Sequence, residues 1–391
     1  MYSFGDTPAF TDWYFRRRAG EVFALLDDQD LVAQIVSVPV SLSIRDAACK
    51  AAMLSGITTA PARRREGHMS ALIRKSLTLL REKDVCAAAL YPFDYDYYRR
   101  YGFAACGEVA RLKVELSRLP GAALQGQILP LRHGSEDLRL LLGAYQACFS
   151  QYSGHARRDE AAFSLLLEEL ALDNGYAAVY RHDGKEEGYL LYYMQDKTIV
   201  VNEIGAASHS ARLDLLSYLG SHSSSMEDAE FLCPLEDPLW RLLPDPRGAV
   251  SAEPYDMLRL VDLGRAMQGL PAAQSAEAGL TLRILDPYAP WNEGLWHFSA
   301  HDGALTVKKL PEQEAGSPSD PGAGANPSSR LSQRPAPGDD PVLTIGELTQ
   351  WAFGCASGRD LILSGAALTE AAACAMDALL VKQPFFLYEM Y

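Results

Sequence analysis

The hydrophobic pattern of residues 31–103 switches between two periods. Residues 31–40 (LVAQIVSVPV) form an apolar, β-branched run that predicts a buried strand broken at Pro39. Residues 47–59 predict the next strand, with Gly56 at a bulge or point of close approach. From 67 to 83 the period becomes helical. Met69, Leu72, Ile73, Ser76, Leu77 and Leu80 make one stripe, while Arg74, Lys75, Thr78, Arg81 and Glu82 face outward. Residues 85–91 predict a short buried strand ended by Pro92. Between the second strand and the helix lies a basic turn, Arg63-Arg64-Arg65-Glu66-Gly67-His68-Met69. A helix that starts there offers unpaired N–H groups and a positive partial charge, enough to hold a pyrophosphate without a metal.

A second region opens near Ile128, after the turn Leu119-Pro120-Gly121. Its pattern predicts helices around 137–149 and 159–172, strands at 176–181, 188–194 and 198–204, a helix at 211–221 and a closing strand around 257–261. This order echoes the first region. The corresponding turn, Ala206-Ala207-Ser208-His209-Ser210-Ala211-Arg212, has no glycine, so it reads as a degenerate copy that binds no cofactor. A third region starts near Leu280, with strands at 281–284 and 294–299. Residues 311–341 are dominated by Pro, Gly, Ser, Ala and Asp. They bury too little apolar area to offset their ordering entropy, which predicts a disordered insertion. Order returns at 343–351, and an Ala-rich helix and the aromatic segment 384–391 follow.

Composition narrows the class. The 391 residues point to two or three domains, and 48% hydrophobic with 22% charged residues is ordinary for a globular protein. No apolar stretch approaches the roughly 20 residues of a membrane span. The first eight residues lack a basic segment followed by an apolar core, so no secretion signal is expected, and the expected location is cytoplasmic. Seven cysteines, scattered and never spaced Cys-x-x-Cys, suggest reduced core thiols and argue against a metal site. A net charge of −14 argues against general nucleic-acid binding. Residues 1–120 carry +3 and the remainder −17, an asymmetry that suits a polyanionic cofactor and a cationic acceptor.

Several marks together resemble the Eis family of GCN5-related N-acetyltransferases. The first is Arg64-Arg65-Glu66-Gly67-His68-Met69, similar to the family's Arg/Gln-x-x-Gly-x-Gly/Ala turn with a bulky Met69 at its end. Leu90-Tyr91-Pro92-Phe93 is followed by Tyr98-Arg99-Arg100-Tyr101-Gly102-Phe103. Further along come Gly188-Tyr189-Leu190, Met257-Leu258-Arg259-Leu260-Val261-Asp262, Trp291-Asn292, Leu348-Thr349-Gln350-Trp351-Ala352-Phe353-Gly354 and the aromatic last residue. The resemblance implies an α/β (α+β) chain with two GNAT-like mixed-sheet domains in tandem, at 1–125 and 126–270. A sterol-carrier-protein-like α+β domain would follow at 271–391.

It also implies chemistry. Acetyl-CoA is the expected co-substrate, with no metal. Ile57, Thr58 and Thr59 would line its pantetheine arm, the main chain of Ile57 and Thr59 pairing with it like an added strand. Backbone N–H groups of Arg65, Glu66, Gly67, His68, Met69 and Ser70 would hold the pyrophosphate, with charge from Arg64 and Arg65. Phe93 and Asp94 would line the entrance. Tyr98 matches the family's acid tyrosine, and a phenol of ordinary pKa about 10 can protonate a thiolate whose thiol lies near 8.5. Tyr91, Tyr95, Tyr97 and Tyr101 compete for that role. Neither His68 nor Glu66 stands where a base is needed, and in the resembling family the α-carboxylate of the last residue, here Tyr391, is the general base.

The acceptor would be a primary amine on a cationic molecule: a polyamine, an aminoglycoside-like compound or a lysine side chain. The resemblance leaves oligomeric state open, a homo-oligomer included. Two other readings stand beside it, a lipid- or small-ligand-binding protein that works through its last domain and a transferase of longer acyl chains. Ser208-His209 and Ser221-His222 lack a Gly-x-Ser-x-Gly turn, and His297 and His301 lack metal-ligand company.

Overall fold

The structure is a computed structural model that describes residues 7–18, 20–121, 123–132, 134–273, 279–311 and 341–389. The insertion expected at 311–341 lies almost wholly outside the described residues, and Tyr391 lies outside them too. The chain divides into two compact units. One takes the segment ending at Arg18 together with Glu108–Pro254. The other takes the stretch from there to Gly107 and everything from Tyr255 on.

The second of these units contains a six-stranded sheet of order β1-β2-β3-β4-β13-β5. Its strands are β1 (Glu21–Asp27), β2 (Asp30–Ile44), β3 (Ala47–Thr59), β4 (Ala87–Leu90), β5 (Ala104–Ala105) and β13 (Met257–Leu260). All neighbours are antiparallel except β3 and β4. Helix α2 (His68–Glu82) buries Met69, Leu72, Ile73, Ser76, Leu77 and Leu80, the six positions of the sequence stripe. The short helix α3 (Tyr95–Arg99) carries the tyrosine-rich loop.

Two expectations need correction here. Pro39 does not break β2, which runs on to Ile44. Strand β1 ends opposite Ser37, so beyond that point one edge of β2 is unpartnered and a residue without an N–H costs no ladder bond. The strand expected to close the second region, 257–261, instead enters the first sheet. It pairs Met257 with Leu90 on one side and with Ala105 on the other. Strand β4 is Ala-Ala-Ala-Leu and wholly buried, as is the β13 that pairs with it.

The other unit holds a seven-stranded sheet, β12-β6-β11-β10-β9-β8-β7. These are β6 (Glu108–Glu115), β7 (Gln127–Pro130), β8 (Tyr176–His182), β9 (Lys185–Gln195), β10 (Thr198–Ala206), β11 (Asp228–Pro234) and β12 (Val250–Pro254). Its helices are α1 (Pro8–Trp13), α4 (Ser135–Phe149), α5 (Glu160–Leu172) and α6 (His209–Gly220). Strand β6, which follows β5 directly in sequence, pairs here with β11 (Asp228 opposite Glu115) on one side and with β12 (Val250 opposite Leu112) on the other.

The C-terminal part of the unit that holds the six-stranded sheet is a four-stranded sheet, β16-β15-β14-β17, made of β14 (Leu280–Leu285), β15 (Gly294–His301), β16 (Ala304–Lys309) and β17 (Val342–Thr344). Helices α7 (Leu263–Met267), α8 (Ile345–Phe353), α9 (Gly358–Leu363) and α10 (Glu370–Leu379) accompany it. A buried ion pair ties this part to the six-stranded sheet. Arg259, on β13, donates from Nη2 to Asp286 Oδ2 at 2.6 Å, with both side chains sealed from solvent. Its other groups donate to the carbonyls of Tyr101 and Leu260. Asn292 Nδ2 donates to the same carboxylate oxygen at 2.9 Å. Burial pushes the Asp286 carboxyl up, and Arg259 and Asn292 oppose it.

Removing one partner strands the other charge in the core. Arg259→Met should therefore destabilise the protein by about 3–5 kcal/mol. Urea unfolding followed by tryptophan fluorescence measures this, and a loss under about 1 kcal/mol would mean that the pair contributes little.

Candidate active site

The basic turn folds as the sequence suggests. Gly67 is the N-cap of α2 with φ +83°, a left-handed conformation that favours glycine. A Cβ placed on it would meet nothing within 4 Å, so open space lies in front of the helix. No side chain caps the helix start, and its first turn has no acidic residue. The N–H groups of His68, Met69 and Ser70 are thus left to solvent or to a ligand. Met69, bulky where the family often has Gly or Ala, turns its side chain into the core and leaves the amide face clear.

The charges around the turn divide into two sets. Arg63 donates to Asp27 at 2.7 Å and to Glu66 at 3.0 Å, and His68 Nε2 stands 2.9 Å from the same Glu66 oxygen. Arg63, with His68, holds the Glu66 carboxyl below the usual carboxylate range. Glu66 is therefore a clamp of the turn through its side chain, and only its N–H faces the anion role expected of it. Arg64 and Arg65 are exposed and are ion-paired with nothing among the described residues; Arg64 Nε donates to the Thr59 carbonyl at 3.4 Å. Sequence reasoning missed Arg63 and Asp27, which meet across 36 residues.

Strands β3 and β4 separate beside this turn. Their pairing ends at Met53–Ala89, while β3 continues to Thr59. A bulge opposite Ile35 takes in Gly56 (φ +55°) and Ile57, as expected of Gly56. Ala60 N–H donates to Val32 at 2.8 Å, so alternation along the strand aims the main-chain groups of Thr59 at the open side. Thr58 pairs opposite Gln34 on β2.

Tyr98 sits on α3, whose N-cap Asp94 accepts from Tyr97 N–H at 2.9 Å. That capping bond accounts for Asp94 locally. Tyr98 is 2% exposed, with Phe93, Tyr97 and Phe103 rings 5.4, 5.2 and 6.1 Å away. Phe93 itself is 63% exposed. Burial, reinforced by Tyr97, pushes the Tyr98 phenol well above its ordinary pKa. Ile57, Met69 and Tyr98 pack in one hydrophobic cluster, so the structure brings turn, strand and tyrosine together. Gly102, at the loop's end, has φ +82°, and a Cβ there would lie 2.5 Å from Ile345 Cγ2. The C-terminal segment can be followed to Glu389. Tyr388 lies 5.3 Å from the Tyr255 ring, which lies 4.8 Å from Tyr91, and Tyr95 Oη donates to the Tyr255 carbonyl at 2.9 Å.

An uncapped helix start, two parallel strands that part and a buried tyrosine thus share one part of the fold. Residues 1–106 and 154–260 match two acetyltransferase (GNAT) domain families, and residues 263–387 match the sterol carrier protein domain family. The chain belongs to the GNAT acetyltransferases, with two GNAT domains in tandem followed by a sterol carrier protein domain. An uncharacterized N-acetyltransferase of Streptomyces griseus is 26% identical over 257 residues, covering 60% of this chain and 61% of that relative. Among solved structures, a probable N-acyltransferase of Enterococcus faecalis superposes with TM-score 0.82 at 23% identity, over 100% of this chain and 95% of that one. Eis1 of Mycobacterium abscessus superposes with TM-score 0.70 at 21% identity, over 98% and 96%. At these identities the likeness to solved structures is one of fold.

Within this GNAT chain the two helices at corresponding positions differ at their starts. Helix α6 is capped by Ser208, whose Oγ accepts from Ala211 N–H at 3.1 Å and donates to Glu187 at 2.6 Å. A carboxylate therefore already stands at that helix start, and Arg212 is held by Asp237 through two 3.0 Å bonds. Calorimetric titration with coenzyme A should accordingly give one site per chain; a stoichiometry of two would contradict the contrast between the helices.

Proposed function

We propose that this GNAT protein transfers an acetyl group from acetyl-CoA to a primary amine of a cationic acceptor, by direct attack in a ternary complex. The observation that carries the reading is the uncapped start of α2, opening at Gly67 on free space beside the end of β3 and sharing one core with Tyr98. The N–H groups of residues 65–70 receive the pyrophosphate, and Arg64 and Arg65 neutralise its charge. The main chain of Ile57 and Thr59 pairs with the pantetheine arm along the edge that β4 leaves free, with Thr58 turned toward β2. Phe93 covers the entrance.

The amine nitrogen attacks the thioester carbonyl, a C–N bond forms and the C–S bond breaks. Tyr98 gives its phenolic proton to the departing thiolate. Its raised pKa keeps that proton in place through neutral pH. The α-carboxylate of Tyr391 takes the proton of the amine. Tyr388, three residues earlier in sequence, lies 5.3 Å from the Tyr255 ring, which lies 4.8 Å from Tyr91, and this supports the reading. A terminal carboxyl of ordinary pKa about 3.5 is a weak base, and desolvation would raise it. The acidic charge of the chain beyond residue 120 favours a cationic acceptor over a neutral one.

Tyr98→Phe should lower kcat by about 10²-fold or more while leaving coenzyme A affinity unchanged, measured by steady-state kinetics and titration. A Tyr98→Phe enzyme with the parent's kcat removes the phenol from the chemistry. Because burial raises the Tyr98 pKa, its protonated form persists above the ordinary range. The kcat profile should then stay flat on its alkaline side to about pH 10, and a Tyr98-dependent fall near pH 9 would contradict that. Arg64→Ala with Arg65→Ala should weaken coenzyme A binding about tenfold or more, and unchanged affinity would reject the phosphate cradle.

A further inference from the structure

Tyr288 lies on the loop between β14 and β15, far in sequence from the co-substrate turn, yet it rests on the first turns of α2. It is 2% exposed. Its hydroxyl is 3.0 Å from Ser70 Oγ, on the third residue of the helix whose start is uncapped. One turn on, the Arg74 guanidinium stacks 4.9 Å over the Tyr288 ring and donates to the Pro287 carbonyl at 2.8 Å. On its other side the ring meets Tyr101 edge-on at 5.0 Å, and Tyr101 is on the Tyr98 loop. The loop that carries Tyr288 begins at Asp286 and is fixed by the buried bond to Arg259.

We propose that Tyr288 is a positioning residue for the co-substrate, acting through Ser70 to hold the first turn of α2 in register with the Tyr98 loop. The inference rests on the reading that the α2 start receives the pyrophosphate. Ser70 contributes one of the amides that face the ligand. A serine near a helix start can rotate its hydroxyl to compete for neighbouring backbone groups. The bond to Tyr288 commits that hydroxyl to the protein side and leaves the amide face of the turn to the ligand. Tyr288 touches neither the thioester nor the amine, so its hydroxyl governs affinity for coenzyme A and leaves the transfer step alone.

Titration of the full chain with coenzyme A, beside kinetics with acetyl-CoA, tests this. Tyr288→Phe keeps the ring, its stacking with Arg74 and its edge contact with Tyr101, and deletes only the hydroxyl. It should weaken coenzyme A binding and raise KM for acetyl-CoA about 2- to 10-fold, with kcat at saturation within twofold of the parent. Ser70→Ala should cause a similar loss, and the double variant should bind no more weakly than the weaker single one. Parent affinity in Tyr288→Phe, additive losses in the double variant, or a fall in kcat equal to the rise in KM would each overturn the proposal. Failure of the parent chain to bind coenzyme A at all would instead reject the underlying reading of the α2 start, and this inference with it.

Discussion

One buried charge pair organises the half of the molecule that holds the candidate site. Arg259 and Asp286 are sealed from solvent, and desolvating two charges costs several kcal/mol per ion unless further hydrogen bonds surround them. Those bonds come from three parts of the chain: the Tyr101 carbonyl on the tyrosine loop, the Leu260 carbonyl on β13 and the Asn292 amide. Satisfying the pair therefore fixes three things together: the depth of β13 between β4 and β5, the placement of the Tyr98 loop, and the start of the segment that rests on α2. A one-residue slip of β13 would turn Arg259 to the opposite face of the sheet, so the ion pair also specifies register.

The tandem arrangement shows how little separates a helix start open to an anion from one that is closed. Helix α2 begins at a left-handed glycine with no capping side chain, and α6 begins at Ser208 with Glu187 beside it. The two are built on comparable strands, parallel neighbours that pair briefly and then part. A serine caps one amide, Ala211 N–H, and a glutamate bonded to that serine adds a negative charge where a phosphate would need to approach.

Local patterns in the sequence carried much of this. The α2 stripe is legible because five apolar positions and the small Ser76 repeat at helical spacing, and the same six are buried. The bulge at Gly56 and the turn at Gly67 were legible because glycine marks unusual backbone. Pairings between distant segments were not. Nothing in Met257–Leu260 distinguishes a strand that completes the nearer sheet from one that returns to the sheet begun at Glu21, because burial on both faces erases any alternation. The role of Glu66 was hidden for a similar reason, since its partners include Arg63, whose other anchor Asp27 lies on another strand. Ser70 and Tyr288 lie 218 positions apart, and neither residue type announces the other.

The exchange of β6 and β13 has a consequence for how the chain is born. The first sheet has β1 to β5 on hand once Ala105 is made, but its interior slot between β4 and β5 stays empty until Met257–Leu260 arrives, about 150 residues later. At ordinary translation speeds of roughly 5–20 residues per second that is a wait of about 10–30 s. Through that interval the nascent N-terminal sheet exposes the flanks of β4 and β5 as unpaired edges, a template for wrong partners. The brevity of both strands, four residues and two, limits how firmly a stray segment could dock there before the rightful one emerges.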